Sequence, residues 1–174
     1  MFREATIRLP GEARTTNQIH KAVWAALGVP EKAERDFLYI NIGDGETLVR
    51  GKDLPTEHSL PVRQFVAGQR VAVLLLVRAV TRGKRERLVD QDQLKDWLDG
   101  RMPGFGDIAI HRADTVKSEI KRHPVWAWHL HFDATITDAA AAEETMGRGV
   151  GRSKAFGFGM PVVVPVNALE SEAA

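Results

Sequence analysis

Residues Trp126 to Thr137 (WAWHLHFDATIT) alternate without a break between two sets of side chains. Only an extended strand, with its side-chain period of two, sorts such a run onto one apolar and one mostly polar face. Trp126, Trp128, Leu130, Phe132, Ala134 and Ile136 fall on the first face; Ala127, His129, His131, Asp133, Thr135 and Thr137 fall on the second. The chain must therefore build a sheet with one face against a core. Strict alternation and size assign Trp126, Trp128 and Phe132 to that core rather than to a base-stacking platform. Trp24 and Trp97 read as core too.

The remaining elements follow from local signals. Phe2 to Leu9 predicts a strand broken by Pro10-Gly11. Thr15, with Gln18 three residues on, is a capping-box signature for a helix. Ile19, Val23, Ala26 and Leu27 give that helix an apolar stripe, and Gly28 and Pro30 stop it. Arg35–Ile42 and Thr47–Arg50 predict strands around an Asp44-Gly45 hairpin turn. Pro55 to Pro61 reads as irregular, and Val62–Ala67 has the length of a short strand. Gln69 to Val80 predicts a long β-branched strand. Asp90 is the expected cap of a helix carrying Leu94, Trp97 and Leu98, and Asp107–Arg112 is a further strand. Asp138 is the expected cap of an alanine-rich helix up to Met146, and Met160–Val166 is a last apolar strand.

From Gln69 onward the order is β-α-β-β-α-β, the ferredoxin-like pattern. The first half repeats it with the second helix reduced. The predicted fold class is α+β, with tandem ferredoxin-like (βαββαβ) domains. Residues 1–68 form the reduced first domain and residues 69–174 the second, with the boundary at Gly68. A length of 174 residues suits two very small domains packed together.

Composition narrows the chemistry. The absence of cysteine removes disulfides, thiolate zinc sites, iron–sulfur clusters and cysteine nucleophiles. No apolar run approaches the ~20 residues of a membrane helix, so no membrane partner is expected. Met1-Phe2-Arg3-Glu4 lacks the regions of a signal peptide, which predicts a cytoplasmic protein. Net charge is only +1, but the basic residues are grouped. Arg78, Arg82, Lys84, Arg85 and Arg87 surround the single acid Glu86. Lys117, Lys121, Arg122 and His123 form a second group, and Arg148, Arg152 and Lys154 a third. Separated basic patches on a near-neutral chain suit a local polyanion site; each run taken alone also suits a solvated face.

The most informative stretch is Gly147 to Gly159 (GRGVGRSKAFGFG). A Rossmann fingerprint needs a strand before it and a helix after it, and here the order is reversed. A Walker loop needs Gly-Lys-Ser/Thr, and here the order is Arg-Ser-Lys. Two readings remain: a backbone cradle for RNA phosphate, or a tight connection that uses its glycines for packing. His129, His131 and Asp133 share one strand face and offer an incomplete metal-ligand set, the basis of a metal-hydrolase alternative.

Gly149-Val-Gly-Arg-Ser-Lys-Ala-Phe-Gly-Phe-Gly-Met160 resembles the C-terminal glycine-rich loop of repeat-associated RNA-binding proteins of CRISPR systems. More narrowly, the chain resembles the CasE family, the precursor-CRISPR-RNA endonucleases of type I-E systems. Gln18-Ile-His-Lys-Ala-Val-Trp24 is similar to that family's first-helix segment, and Ala33-Glu-Arg-Asp-Phe-Leu-Tyr39 to the strand after it. Leu75–Lys84 resembles the start of its second domain, and Phe132-Asp-Ala-Thr-Ile-Thr-Asp138 the strand before its last helix. These segments run the length of the chain in the family's order. The chain is shorter than typical members, mostly in the first domain, which fits a divergent or type IV relative.

The resemblance implies an endoribonuclease that binds the hairpin of a CRISPR repeat and cuts precursor CRISPR RNA once at its base, with no metal or other cofactor. The implied products are a 2′,3′-cyclic phosphate and a 5′-hydroxyl. The implied partners are the repeat hairpin and other subunits of a CRISPR effector complex. The family's catalytic histidine falls on His20, at the edge of the apolar stripe. The expected RNA contacts are Lys21, Arg78, Arg82, Lys84, Arg85, Arg148, Gly149, Gly151, Arg152, Ser153 and Lys154. The family often carries tyrosine one helical turn before the histidine; Asn17 stands there, and the only tyrosine of the chain is Tyr39. That departure motivates a second reading, a catalytically weak subunit that holds guide RNA in a larger complex.

Overall fold

A computed structural model describes residues 2–11, 13–30, 36–54, 59–81 and 86–166. Two four-stranded antiparallel sheets organise the chain. The first contains β1 (Arg3–Arg8), β2 (Phe37–Gly43), β3 (Glu46–Gly51) and β4 (Leu60–Pro61), in the order β2-β3-β1-β4. Helix α1 (Thr16–Ala26) connects β1 to β2. The second contains β5 (Arg70–Val77), β8 (Phe105–Ile120), β9 (His123–Ile136) and β10 (Pro161–Pro165), in the order β10-β5-β9-β8. Numbered within its own half, each sheet has the order 4-1-3-2 expected of a ferredoxin-like βαββαβ unit. The stretch predicted to hold a reduced second helix in the first half includes residues 55–58, which lie outside the described residues.

Local chemistry sets α1 as the sequence predicts. Thr15 accepts from the Gln18 amide, and the Gln18 side chain accepts in return from the Thr15 amide, closing the capping box. Val23, Trp24 and Leu27 bury their side chains against Phe37, Tyr39 and Val49 of the first sheet. Ala26, placed on the apolar stripe by spacing, is exposed, and Trp24 takes that part of the core.

The second half has more strand than its sequence suggests. Short strands β6 (Val80–Thr81) and β7 (Arg87–Leu88) pair in a small ribbon, and α2 (Leu94–Asp99) follows a single 3-10 turn at Gln91–Gln93. Asp90 makes no side-chain cap there. The strand expected over Asp107–Arg112 is β8, Phe105–Ile120; it pairs with β9 (His123–Ile136) as one long hairpin. Lys121 and Arg122 make its turn with φ of 49° and 66°. Two consecutive positive-φ residues give the turn twist that matches a strand pair. Helix α3 (Ala139–Arg148) is capped by Asp138, which accepts from the Ala141 amide at 3.0 Å, and β10 is Pro161–Pro165.

Residues 62–67, expected as a short strand, form none; Val62 and Phe65 instead bury their side chains in the core of the second half. That core packs β5 and β9 against α2 and α3, through Val73, Leu75, Leu94, Leu98, Leu130, Phe132 and Met146. Trp128 belongs to it, but Trp126 is 49% exposed beyond its edge, and Trp97 is only half-buried. Alternation along a strand fixes which face a residue takes, not how far the covering layer extends.

The two sheets also meet each other. Leu38 and Ile40 of β2 point away from α1 and join Leu74 and Leu76 of β5, with Met160 and Val162, in a separate cluster. This explains why Phe37 to Ile40 are all buried: β2 is covered on both faces. Arg50 of β3, 1% exposed, pins the contact. It pairs with Glu4 and donates from Nη1 to the carbonyls of Met146 (3.0 Å) and Pro161 (2.9 Å), at the two ends of the glycine-rich loop.

Candidate active site

The glycine-rich loop runs from the end of α3 back across both sheets. Gly149 lies against Leu38, where a Cβ would come 2.8 Å from the leucine side chain, and Gly151 against Val77 at 2.7 Å. At Gly159 φ is +82° and a Cβ would stand 2.0 Å from the Val150 carbonyl oxygen. Only glycine fits that position. The Val150 amide donates to the Gly159 carbonyl at 2.7 Å, closing the loop on itself, and the Gly159 amide donates to Leu76 of β5 at 2.6 Å. The glycines thus face the protein's own interior, the packing use that the sequence left open beside the phosphate cradle.

Within this frame Lys154–Phe156 form a 3-10 turn that reaches α1. Nδ1 of His20 lies 2.6 Å from the carbonyl oxygen of Ala155. The Tyr39 hydroxyl donates to the same oxygen at 3.0 Å. The imidazole stacks on Phe156, centroid to centroid 4.8 Å, and leans on Trp24 at 4.2 Å. Its burial is intermediate, so the ring is neither sealed under apolar side chains nor loose in water. A carbonyl only accepts, so Nδ1 carries the hydrogen. In the neutral ring the lone pair is then on Nε2, which is the form of a general base.

One turn before His20, the Asn17 side-chain oxygen accepts from the Lys121 amide at 3.3 Å. Beside it the hydroxyls of Thr16 and Ser118 are 2.5 Å apart. These contacts dock the tip of the β8–β9 hairpin, with Lys117, Lys121, Arg122 and His123, on the start of α1. Tyr39 is 1% exposed and spends its hydroxyl on the loop.

The expected cationic residues are distributed around the loop. Arg78 donates from Nη1 to Ser153 Oγ at 2.7 Å, and residues 78 and 152 form an isolated antiparallel bridge. Glu86 pairs with both Arg78 (3.2 Å) and Arg152. Burial, followed by the nearby Arg152 charge, lowers the Arg78 guanidinium from its ordinary value. Lys154 donates from Nζ to the Arg148 carbonyl at 2.8 Å, while the Arg148 side chain pairs with Glu144. Lys21 is exposed on α1. Arg82, Lys84 and Arg85 lie outside the described residues.

His129 and His131 stand edge to face at 4.9 Å on the second sheet. The Asp133 carboxylate is already met by Arg70 at 3.1 Å and by His111 at 3.2 Å. Among the described residues, no group of three or more histidine, aspartate or glutamate side chains converges as metal ligands.

Sequence reasoning missed Phe156, the Ala155 carbonyl, the anchoring role of Tyr39 and the bridging role of Glu86. Their signals were present: Ala155-Phe156 sits inside the glycine-rich stretch, and Glu86 is the single acid in a basic run.

Two ferredoxin-like sheets, with a first-helix histidine held on a glycine-rich loop of the second half, define a tandem ferredoxin-like protein of the repeat-associated CRISPR class. The chain belongs to the CRISPR-associated protein family, whose model matches residues 5–165. In fold it is similar to a CRISPR endoribonuclease Cse3 bound to a 19-nucleotide RNA (TM-score 0.69, 21% identity, 94% of this chain and 98% of that one). It is likewise similar to Thermus thermophilus Cse3 bound to an RNA representing a pre-cleavage complex (0.66, 19%, 94% and 99%). Cas6e from Escherichia coli K-12 has the same fold (0.64, 16%, 95% and 100%). No curated protein matches the chain. Among the described residues no helix is long and apolar enough to cross a membrane.

Proposed function

We propose that this protein is a metal-independent endoribonuclease that binds CRISPR repeat hairpins and cuts precursor CRISPR RNA. One observation carries the reading: the 2.6 Å contact between His20 Nδ1 and the Ala155 carbonyl, which joins residues 135 apart and leaves Nε2 as the proton acceptor. Family membership and the fold shared with Cse3 structures bound to RNA support the substrate class.

Cleavage of RNA without metal uses the adjacent 2′-hydroxyl as nucleophile. His20 Nε2 takes its proton, the 2′-oxygen attacks phosphorus as the bond from phosphorus to the 5′-oxygen breaks, and the leaving 5′-oxygen takes a proton from solvent water. The products are a 2′,3′-cyclic phosphate and a 5′-hydroxyl. Arg152 and Lys154, in the loop that holds the histidine, supply cationic donors for the phosphate; Lys21, Arg78 and Arg148 extend the basic surface. The sequence expectations that Arg82, Lys84 and Arg85 contact RNA, and that the domains divide at Gly68, belong to the same proposal.

A second reading is favoured by Asn17, whose side chain is committed to the hairpin tip, and by Tyr39, whose hydroxyl is committed to Ala155. With neither placed as a second proton donor, the protein is a subunit that holds guide RNA in an effector complex. A CRISPR RNA-guided surveillance complex contains a chain of the same fold. Incubation with a synthetic repeat hairpin in EDTA separates the two. A discrete cut, lost in His20→Ala, supports the enzyme; tight binding with no cut supports the scaffold. Activity that chelation removes would overturn the metal-independent mechanism.

A further inference from the structure

Four charged side chains gather where the chain leaves β5. Glu86 bridges two guanidiniums, Arg78 Nη2 at 3.2 Å and Arg152 Nη1. Arg101, just past α2, places its guanidinium 5.0 Å from the centre of the Trp97 ring. With Val80 and Gly151, the three arginines and Trp97 line a cleft of ≈ 230 Å³, and Glu86 stands beside it on Arg78 and Arg152. Among the described residues, these three arginines against one glutamate leave a formal charge of +2. Among the described residues Arg101 has no carboxylate partner, and Arg78 Nε and Trp97 Nε1 are buried without an acceptor.

Such a cluster is short of negative charge. Like-charged guanidiniums held side by side repel, and the repulsion is part of what lowers the Arg78 guanidinium. A carboxylate spanning two planar forks makes the contacts that a phosphate makes. Glu86 is 39% exposed at its side chain, so it exchanges this place for water at small cost.

We propose that the Arg78–Arg101–Arg152 cleft binds one phosphate of the RNA strand, and that Glu86 is the internal anion RNA displaces. The inference rests on the RNA-binding reading above and adds Arg101, Trp97 and Glu86 to it. Its place gives it a purpose. Arg152 and Ser153 lead into the turn whose Ala155 carbonyl holds His20, and three residues of chain span at most about 11 Å. A phosphate seated in the cleft therefore holds the strand on the same loop that holds the imidazole. Because Glu86 satisfies the arginines until then, the cleft discriminates against weakly held anions.

The test is binding of a fluorescent repeat hairpin to the full chain over a range of salt concentrations, with thermal midpoints confirming that each variant folds. Glu86→Gln binds about fivefold tighter, since a partly exposed ion pair no longer has to be broken. Arg101→Ala binds more weakly, and its salt slope falls by about 0.7–0.9, the signature of one lost phosphate contact. Inorganic phosphate, at constant ionic strength, raises the thermal midpoint of Glu86→Gln more than that of the unaltered protein. Unchanged affinity in Glu86→Gln with an unchanged slope in Arg101→Ala overturns the cleft, while weakening by Lys154→Ala would leave the RNA-binding reading standing. Stabilisation by inorganic phosphate alone, with no variant altering hairpin affinity, makes this a free-phosphate site and overturns the RNA assignment. If neither Arg152→Ala nor Lys154→Ala changes hairpin affinity, the RNA-binding reading itself fails.

Discussion

His20 and Ala155 are joined by a hydrogen bond of 2.6 Å from ring nitrogen to backbone oxygen, although 134 residues separate them in the chain. The bond does two things at once. It fixes the orientation of the imidazole, and it sets which nitrogen carries the hydrogen. Phe156 and Trp24 restrict the ring from two further sides, so little freedom is left to lose when a ribose arrives. Tyr39 donates to the same carbonyl and couples the loop to β2.

Replacement of His20 separates its two roles. His20→Asn keeps a side-chain donor where Nδ1 stands but removes the lone pair of Nε2. Cleavage of a repeat hairpin should fall by about 10²–10⁴-fold, the usual contribution of a positioned acid or base. Hairpin affinity should hold, because the loop is still tethered. Single-turnover cleavage beside equilibrium binding checks both; a variant that cuts at the normal rate removes the imidazole from the chemistry.

The closure of the loop is tested at Gly159. An alanine there has φ of +82° and a methyl group 2.0 Å from the Val150 carbonyl oxygen, which is backbone and cannot swing away. Strain and overpacking together predict a loss of about 2 kcal/mol or more in denaturant unfolding. Hairpin binding should weaken with it, since the Ser153–Phe156 turn loses its register on α1. An alanine variant as stable as the parent would mean that the loop closes differently.

What was legible in the sequence was what neighbours in the chain decide. The Thr15–Gln18 capping box, the Asp138 cap and the Asp44-Gly45 turn are each set within a few residues, and each forms as expected. The alternation likewise gave the buried face of β9 from Trp128 to Ile136, because a strand carries its period with it, whereas Trp126 is exposed and Ala127 is buried. The length of β8 was not legible. Residues 113–120 alternate poorly and are extended because β9 lies beside them, through pairs from Ala113–Leu130 to Ile120–His123. The Lys121-Arg122 turn carries none of the glycine or asparagine signal usual for positive φ. At the candidate site His20 was found through its resemblance and the loop through its glycines. The atom that joins them, a backbone oxygen, has no sequence signature at all.

The inter-sheet pin at Arg50 gives a stability prediction. Its guanidinium is 1% exposed, and burial lowers it from its ordinary value while Glu4 acts in the opposite direction. Arg50→Met keeps much of the volume but leaves the Met146 and Pro161 carbonyls and the Glu4 carboxylate without their donor. Breaking one side of a buried ion pair costs about 3–5 kcal/mol. Chemical denaturation should show that loss. The double variant with Glu4→Gln should recover part of it, because the unpaired carboxylate is then gone. If Arg50→Met is as stable as the parent, the ion pair does not hold the sheets together.

A last prediction concerns pH. Burial lowers the pKa of His129 below its ordinary 6.5, with the neighbouring His131 and Arg112 charges acting in the same direction and Asp114 against them. The folded protein therefore resists protonating this ring more than the unfolded chain does. The associated stability is fully present above about 6.5 and is lost as pH falls through the window down to the lower folded value. Unfolding midpoints measured from pH 7.5 to pH 5 should decline on this account. His129→Gln, which cannot titrate, should decline less over the same range. Equal slopes for the two proteins would show that the acid sensitivity comes from other groups, and that the polar face of β9 tolerates a charged imidazole.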